Sequence, residues 1–532
     1  MEFQLDKKIA FPFLVIVFLG VVVRLYNGLV AKPNRLRSML KKQGINGPPP
    51  TFLLGNIREI MKSLSSIEKN NDPPLTHNCA ALTFPFFEQW FKEYGQVFVY
   101  SLGNLQIVNL HQPELVKEFT TCVSLDLGKT SLQLDDLGPL LGQGIVASNG
   151  AFWSHQRKII APELYMEKIK VFINRINHLV AKYLILKLLQ GMVNLITESA
   201  NALLNSWKSM IERDGGMADI KVDEGLGSFS ADVISRACFG SNYYKGEKIF
   251  LKLKDLLKAS SKKDLAVGIP GMRYLPTKSN REAWALEKEI RNLILKVVKE
   301  RQEAADEKDL LQMILEGAKN SNLSREETDR FIVDNCKNVY MAGWETTTVS
   351  ASWCLMLLAI NQEWQDRVRA EVLEICGGSM LDSDMIRKMK LLNAVIHETL
   401  RLYPPVPVIA REALKDMKLG NINVPKGVNI WTTVLLLHTD PEIWGSDSYK
   451  FNPERFANGI AGVCKYPFFY MPFGVGPRVC LGQNLAIVEL KIVLALILSN
   501  FSFTISPRYV HSPIFNLVIK PEHGVNLWVK KL

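Results

Sequence analysis

Apolar residues return every three or four positions over 84–93, 112–121, 151–160, 165–187, 228–238, 284–302, 309–318, 325–360, 364–376 and 388–402. That spacing lines one face of a 3.6-residue helix, so each stretch is expected to be an amphipathic helix packed on a core. Alternation of apolar and polar positions is brief, near 96–110, 419–432 and 500–530, where short strands are expected. Pro425-Lys426-Gly427 marks a turn between two of them. Many helices beside small, segregated sheets make a mainly α, α+β architecture. No internal repeat and no low-complexity linker interrupts the chain after residue 80, which argues for one large domain over 51–532.

The pattern is different before residue 51. Ile9 to Val23 are all apolar, Gly or Pro, and the run continues past Arg24 to about Ala31. A bilayer needs about 20 such residues, which the longer run supplies if Arg24 snorkels to the interface. A cleaved signal peptide is the competing reading, but no small-x-small site closes the run and the next segment is basic. Residues 1–31 are therefore expected to be a single-pass membrane anchor. Residues 32–50 read as a basic, proline-rich linker, with Gly47-Pro48-Pro49-Pro50 a stiff, extended spacer. Positive charge on the C-terminal flank keeps that side cytosolic. On that side the N-x-S sequons at Asn322 and Asn500 would not meet the glycosylation machinery.

The net charge is +11, and Lys7, Lys8, Arg24, Lys32, Arg35, Arg37, Lys41 and Lys42 crowd the N-terminus. No aromatic-and-basic motif accompanies it, so nucleic acid is not expected as a partner; membrane headgroups and an acidic protein are. The eight cysteines (79, 122, 238, 336, 354, 376, 464 and 480) are scattered, with no C-x-x-C pair and no zinc spacing. A reducing compartment suits that usage.

One of these cysteines stands in a specific frame. Phe473-Gly474-Val475-Gly476-Pro477-Arg478-Val479-Cys480-Leu481-Gly482 has the form F-x-x-G-x-R-x-C-x-G. Glycines let a backbone turn tightly against a flat macrocycle, nearby amide N–H groups can tune a ligating sulfur, and an arginine can neutralise a buried propionate. The competing reading is a buried free cysteine in a Gly-rich turn. On these residues the chain is similar to the cytochromes P450, haem-thiolate monooxygenases, and the likeness covers nearly everything after the first fifty residues. The resemblance implies a triangular, helix-rich prism around haem b, with Cys480 as the axial iron ligand. It also implies the cytosolic face of the endoplasmic reticulum as the location.

Inside the long run 325–360 lies Ala342-Gly343-Trp344-Glu345-Thr346-Thr347, poor helix-interior chemistry. A threonine hydroxyl bonded to the carbonyl four residues back, Ala342, would open and bend the helix there. Splitting the O–O bond consumes two protons, and the acid–alcohol pair Glu345–Thr346 can relay them. A solvent-facing polar patch on a core helix is the alternative. The segment matches the family pattern A-G-x-[ED]-T-T, which also counts against relatives that rearrange hydroperoxides.

Glu398-Thr399-Leu400-Arg401 places an acid and a base on one helical face. Alone it is a common surface ion pair. Tyr403-Pro404-Pro405 follows it, and Phe451-Asn452-Pro453-Glu454-Arg455-Phe456 comes later; the resemblance joins Glu398, Arg401 and Arg455 in a buried triad that supports the Cys480 loop. It likewise makes Trp153, Arg157, Arg411 and Arg478 donors to the haem propionates and puts Phe473 beside the cofactor. His155, His397 and His438 read as ordinary packing or surface residues.

No G-x-G-x-x-G in a βαβ setting appears, so electrons must come from outside. The resemblance implies a membrane-bound NADPH reductase whose acidic flavin domain docks near the Cys480 side. The substrate pocket is expected from 125–148, 338–342, 406–409 and 513–517, largely apolar segments that fit a small hydrophobic substrate. Blocks such as Phe229-Ser230-Ala231-Asp232-Val233-Ile234-Ser235-Arg236-Ala237-Cys238-Phe239-Gly240 resemble a plant terpenoid-oxidising family of gibberellin hydroxylases and epoxidases and pentacyclic-triterpene C-23 oxidases. Leu141-Gly142-Gln143-Gly144-Ile145 and an aromatic residue at 344 are closer to the triterpene branch, although Trp344 departs from the tyrosine expected there. A haem-dependent isomerase or dehydratase and a non-catalytic haem protein are the alternative classes.

Overall fold

The computed structural model describes residues 7–67, 77–131, 137–164, 178–240, 243–261, 274–303, 309–320 and 323–532. Within them the chain is helix-rich, with small separate sheets. The central element is the helix Arg325–Ile360, buried almost continuously from Phe331 to Ala359. It starts at a capping box: Ser324 Oγ accepts the Glu327 N–H at 3.3 Å, and Glu327 Oε2 accepts the Ser324 N–H at 2.9 Å. Helix Val222–Phe239 lies along one side of it and Gln483–Asn500 along another.

The helices expected from periodicity over 84–93, 112–121, 151–160, 228–238, 284–302, 309–318, 364–376 and 388–402 are present, several of them extended at their ends. Of the stretch 165–187, residues 165–177 lie outside the described residues, and the helix His178–Arg213 runs well past its expected end. Two helices carried no legible period. Gln483–Asn500 is apolar on nearly every side because it crosses the core, and Tyr243–Ser261 mixes lysines into its apolar stripe.

A five-stranded sheet runs in the order 97–102, 105–110, 429–433, 408–413, 127–128. The pair 105–110 with 429–433 is parallel (Val108 opposite Ile430) and the others are antiparallel. Strand Val408–Ala413 was not evident from alternation. A second sheet joins Met217–Lys221, Asn526–Lys531 and Phe501–Ile505, and two hairpins complete the set.

The helix Lys7–Tyr26 passes through a π-helical turn, Asn27–Ala31, into Lys32–Lys41. Over Pro12–Lys41 the mean hydropathy reaches 2.2, and its apolar window is 0% buried. Phe13, Ile16 and Phe18 stand more than 60% exposed, the signature of a candidate membrane span. Gln483–Asn500 is also long and apolar, but it is a core helix.

The basic segment after the anchor is not extended. Lys32–Lys41 is helical and buries Pro33, Arg37 and Leu40 against the sheet edge. Arg37 Nη2 donates to Pro48 O at 2.6 Å and to Gly47 O at 3.1 Å, and its Nη1 donates to Ser101 Oγ at 3.2 Å. A buried guanidinium needs acceptors, and the proline-rich stretch supplies free carbonyls without competing N–H groups.

Candidate active site

The Cys480 loop is built from backbone bonds. Cys480 N–H donates to Phe473 O at 2.9 Å, Val479 N–H to Gly476 O at 3.1 Å, and Gly474 N–H to Met471 O at 2.9 Å. Gly476 has φ +72°, and a Cβ there would stand 2.3 Å from Thr120 O, so only glycine lets the loop pass that close. Cys480 lies just before the helix Gln483–Asn500, whose N-terminal end favours a thiolate. Burial pushes the Cys480 thiol up, while the Gly482 N–H and the Arg157 charge pull the other way.

The sulfur faces a cavity of about 2160 Å³, counted with the open solvent at its mouth. Much of its lining is apolar, with Val123, Leu125, Ile145, Val339, Val406 and Ile409 among the residues that face it. The expected segment 513–517 contributes no lining residue. Its Phe515 packs on Phe84 instead, with ring centroids 5.6 Å apart. Trp344 also points elsewhere, edge-on to Phe250 at 4.4 Å and beside Ala231, so it carries no information about substrate.

Cations gather at one side of the cavity. Arg157 Nη2 donates to Val479 O at 3.1 Å, and Arg478 donates to Ser148 O at 3.2 Å and to Asn149 Oδ1 at 3.2 Å. Both guanidinium groups lie over the Trp153 ring, at 5.6 and 4.1 Å. Strand Val408–Ala413 brings Arg411 to the same place, and Lys129 joins them from the 127–128 strand. Burial pushes Arg411 down to about 10. Burial, helped by the Arg411 and Arg157 charges, pushes Arg478 down to about 9, and Lys129 is lowered for similar reasons. Among the described residues no carboxylate pairs with Lys129, Arg411 or Arg478. A thiol below and unopposed cations at one edge suit haem, whose two propionates would neutralise them. Lys129 was missed in the sequence because a lone lysine in a loop carries no motif.

Across the cavity, Thr346 Oγ1 donates to Ala342 O at 2.6 Å as expected, yet the α-helix continues unbroken. Gly343 has a packing reason: a Cβ there would meet Ile234 at 2.4 Å. Glu345 is buried, and desolvation raises its carboxyl despite opposing charges from Lys520, 3.9 Å away, and Lys254. A second buried carboxyl, Glu489, went unnoticed in the sequence because it lies nine residues beyond Cys480 in an aperiodic helix. Ser230 Oγ donates to it at 2.7 Å, and burial pushes it up to about 8. Its ordinary value is 4.5, so between about pH 4.5 and 8 the folded chain holds a proton that the unfolded chain has released. Stability is therefore expected to fall as pH rises through that window. Glu489→Gln should melt with wild type at pH 5 and a few degrees above it at pH 8.5, measured by thermal denaturation.

Beneath the site, Arg401 forks onto Glu398, Nε to Oε2 at 2.7 Å and Nη2 to Oε1 at 2.8 Å, both side chains 0% exposed. Arg401 also donates to the carbonyls of His438, Ser448 and Lys450. Arg455 Nε stands 3.6 Å from Glu398 Oε1; its closer partner is Asp447 at 2.5 Å, a residue no motif signalled. His397 and His438 pack here, His397 Nδ1 2.8 Å from Tyr470 Oη. Burial pushes them to about 4 and about 3, which keeps them neutral. His155 is exposed. Asn500 is half-buried and donates to Leu496 O at 2.9 Å, while Asn322 lies outside the described residues.

The family model for Cytochrome P450 matches residues 80–527. The chain belongs to the cytochrome P450 family. It is 50% identical over 510 residues to cytochrome P450 714C2 of Oryza sativa subsp. japonica, covering 94% of each chain. It is 44% identical over 526 residues to cytochrome P450 714A2 of Arabidopsis thaliana (96% of each) and 43% identical over 522 residues to cytochrome P450 714B3 of Zea mays (96% of this chain, 94% of that one). The chain is accordingly a haem-thiolate monooxygenase of a plant P450 family.

Proposed function

We propose that this P450 oxidises a bulky terpenoid, a pentacyclic triterpene, at one methyl group such as C-23, carrying it through alcohol and aldehyde to acid. The observation that carries this reading is the largely apolar lining of the cavity, to which Val123, Leu125, Ile145, Val339, Val406 and Ile409 contribute.

Haem, when bound, supplies the activation of O2 and the insertion of one oxygen atom into a C–H bond. Cys480 would hold its iron, and Trp153, Arg157, Arg411 and Arg478, with Lys129, would hold its propionates. Phe473 would lie beside it. Because Thr346 Oγ1 gives its proton to Ala342 O, its lone pairs are left to accept a proton or position a water. Glu345, raised by burial and 3.9 Å from the partly exposed Lys520, can take protons at the solvent side and pass them inward. Glu398, Arg401 and Arg455 would hold the loop that presents Cys480. Electrons would come from a separate NADPH reductase docking near that loop. The exposed apolar helix at the N-terminus supports a single-pass anchor in the endoplasmic reticulum membrane with residues 51–532 as the cytosolic catalytic domain.

The test is co-expression of the full chain with a plant NADPH reductase, with products analysed from oleanane and ursane triterpenes and from gibberellins. Successive oxidation of one triterpene methyl supports the reading. Turnover of gibberellins alone would replace it with the diterpenoid hydroxylase.

A further inference from the structure

One wall of the cavity is held in an unusual way. Helix Arg325–Ile360 carries a row of buried polar side chains (Asp334, Asn335, Lys337 and Asn338), and each of them bonds to the single segment 137–148; Asn335 Nδ2 also donates to Phe331 O at 2.9 Å, and Lys337 stands 3.8 Å from Glu287. Asp334 Oδ2 accepts the Gln143 N–H at 2.8 Å, Asn335 Oδ1 accepts the Ile145 N–H at 3.0 Å, and Asn338 Oδ1 accepts the Val146 N–H at 2.8 Å. Asn338 Nδ2 donates back to Leu141 O at 2.8 Å, and Lys337 Nζ donates to Pro139 O at 3.1 Å while pairing with Asp334 at 2.9 Å.

The fit is close. Gly142 has φ +54°, and a Cβ there would stand 2.1 Å from Asp334 Cγ. At the loop's other end, Ser148 O accepts from Arg478 Nη1 and Nη2, each at 3.2 Å. The loop is thus fastened to the long helix at one end and to the cation cluster at the other. Ile145 and Val146, held through their own N–H groups by Asn335 and Asn338, face the cavity. Asp334 and Asn335 do not line it, and Asn338 reaches its wall with both amide ends committed to the loop.

We propose that Asp334, Asn335 and Asn338 are positioning residues that fix Ile145 and Val146 over the haem chamber and so set the size of ligand it admits, without binding substrate. Buried polar side chains satisfied by one segment make a two-position device: either every bond forms or the segment leaves. A wall held by hydrophobic contact alone could slide, whereas this one has a defined register. The inference rests on the chamber being a haem-thiolate oxygenase site.

The experiment uses the full-length holoprotein in nanodiscs, as wild type, Asn338→Leu and Asn338→Asp. Leucine has similar size but lacks both polar ends; aspartate keeps the acceptor for the Val146 N–H and loses the donor to Leu141 O. Hydrogen exchange is read at the amides of Gln143, Ile145 and Val146. Soret titrations give the Kd of imidazole, small enough to reach iron without meeting the wall, and of 4-phenylimidazole, which must pass it. Expected for Asn338→Leu is exchange faster by about tenfold or more at Val146 and a ratio of the two Kd values shifted by roughly fivefold, with the CO spectrum unchanged and Asn338→Asp in between. Faster exchange with an unchanged Kd ratio would reduce the row to a structural brace and overturn the proposal. Unchanged exchange would overturn it as well. A wild-type protein without the thiolate-type CO spectrum would overturn the oxygenase reading and this proposal together. If Asn338→Leu binds no haem, the same two outcomes are decided on Asn338→Asp.

Discussion

Arg401→Leu is expected to yield almost no haem-loaded protein. Glu398 is 0% exposed and depends on the Arg401 fork at 2.7 and 2.8 Å; without it, the remaining cation stands 3.6 Å away and is already committed to Asp447. Stranding one member of a buried pair removes about 3–5 kcal/mol, against a total stability of about 5–15 kcal/mol for a folded domain. Three backbone carbonyls, those of His438, Ser448 and Lys450, would lose their donor at the same stroke. They belong to the chain that leads toward the Cys480 loop, so the damage should reach the cofactor as well as the melting temperature. Arg401→Lys restores the charge but cannot fork, and intermediate haem content is expected. Haem per polypeptide, measured on purified protein, checks both variants; full occupancy in Arg401→Leu would remove the triad from the structural account.

Thr346→Ala should leave haem binding intact and uncouple the enzyme. The hydroxyl lines the cavity and is fixed on Ala342 O at 2.6 Å; Glu345, one residue before it, is buried and does not line the cavity. Removing it deletes a cavity-lining hydroxyl whose lone pairs are open to accept a proton, one residue after an acid that burial raises and that stands 3.9 Å from Lys520. Positioned proton transfer contributes about 10²–10⁴-fold to rate, so product formed per NADPH should drop at least about tenfold, with the lost reductant recovered as hydrogen peroxide. Normal coupling in this variant would exclude Thr346 from proton delivery. Thr346→Ser keeps a hydroxyl and should retain most coupling, which separates chemistry from packing.

What the sequence disclosed follows how local each signal is. The loop at Cys480 could be read because its glycines, arginine and cysteine act within ten consecutive residues. The long helix could be read to its ends because apolar residues return every three or four positions throughout 325–360. The positions of Arg157, Arg411 and Arg478 came from family pattern, and only the fold explains why they meet: a helix, a strand and a loop converge. Lys129 and Asp447 belong to no local pattern, and their roles come entirely from long-range packing. Gln483–Asn500 hid in the opposite way: a helix surrounded by core has no polar face to reveal its period. Within the segment 32–50, the helix Lys32–Lys41 and the bonds from Arg37 to the carbonyls of Gly47 and Pro48 carried no local signal, because they depend on packing against the strand 97–102.

The account stands on the sulfur of Cys480 as the ligand to haem iron. The most direct measurement is the CO difference spectrum of the reduced full-length protein, wild type beside Cys480→Ser. Wild type is expected to show the long-wavelength Soret band that only thiolate ligation produces, and the serine variant to lose both that band and turnover. The same band and turnover in Cys480→Ser would contradict it.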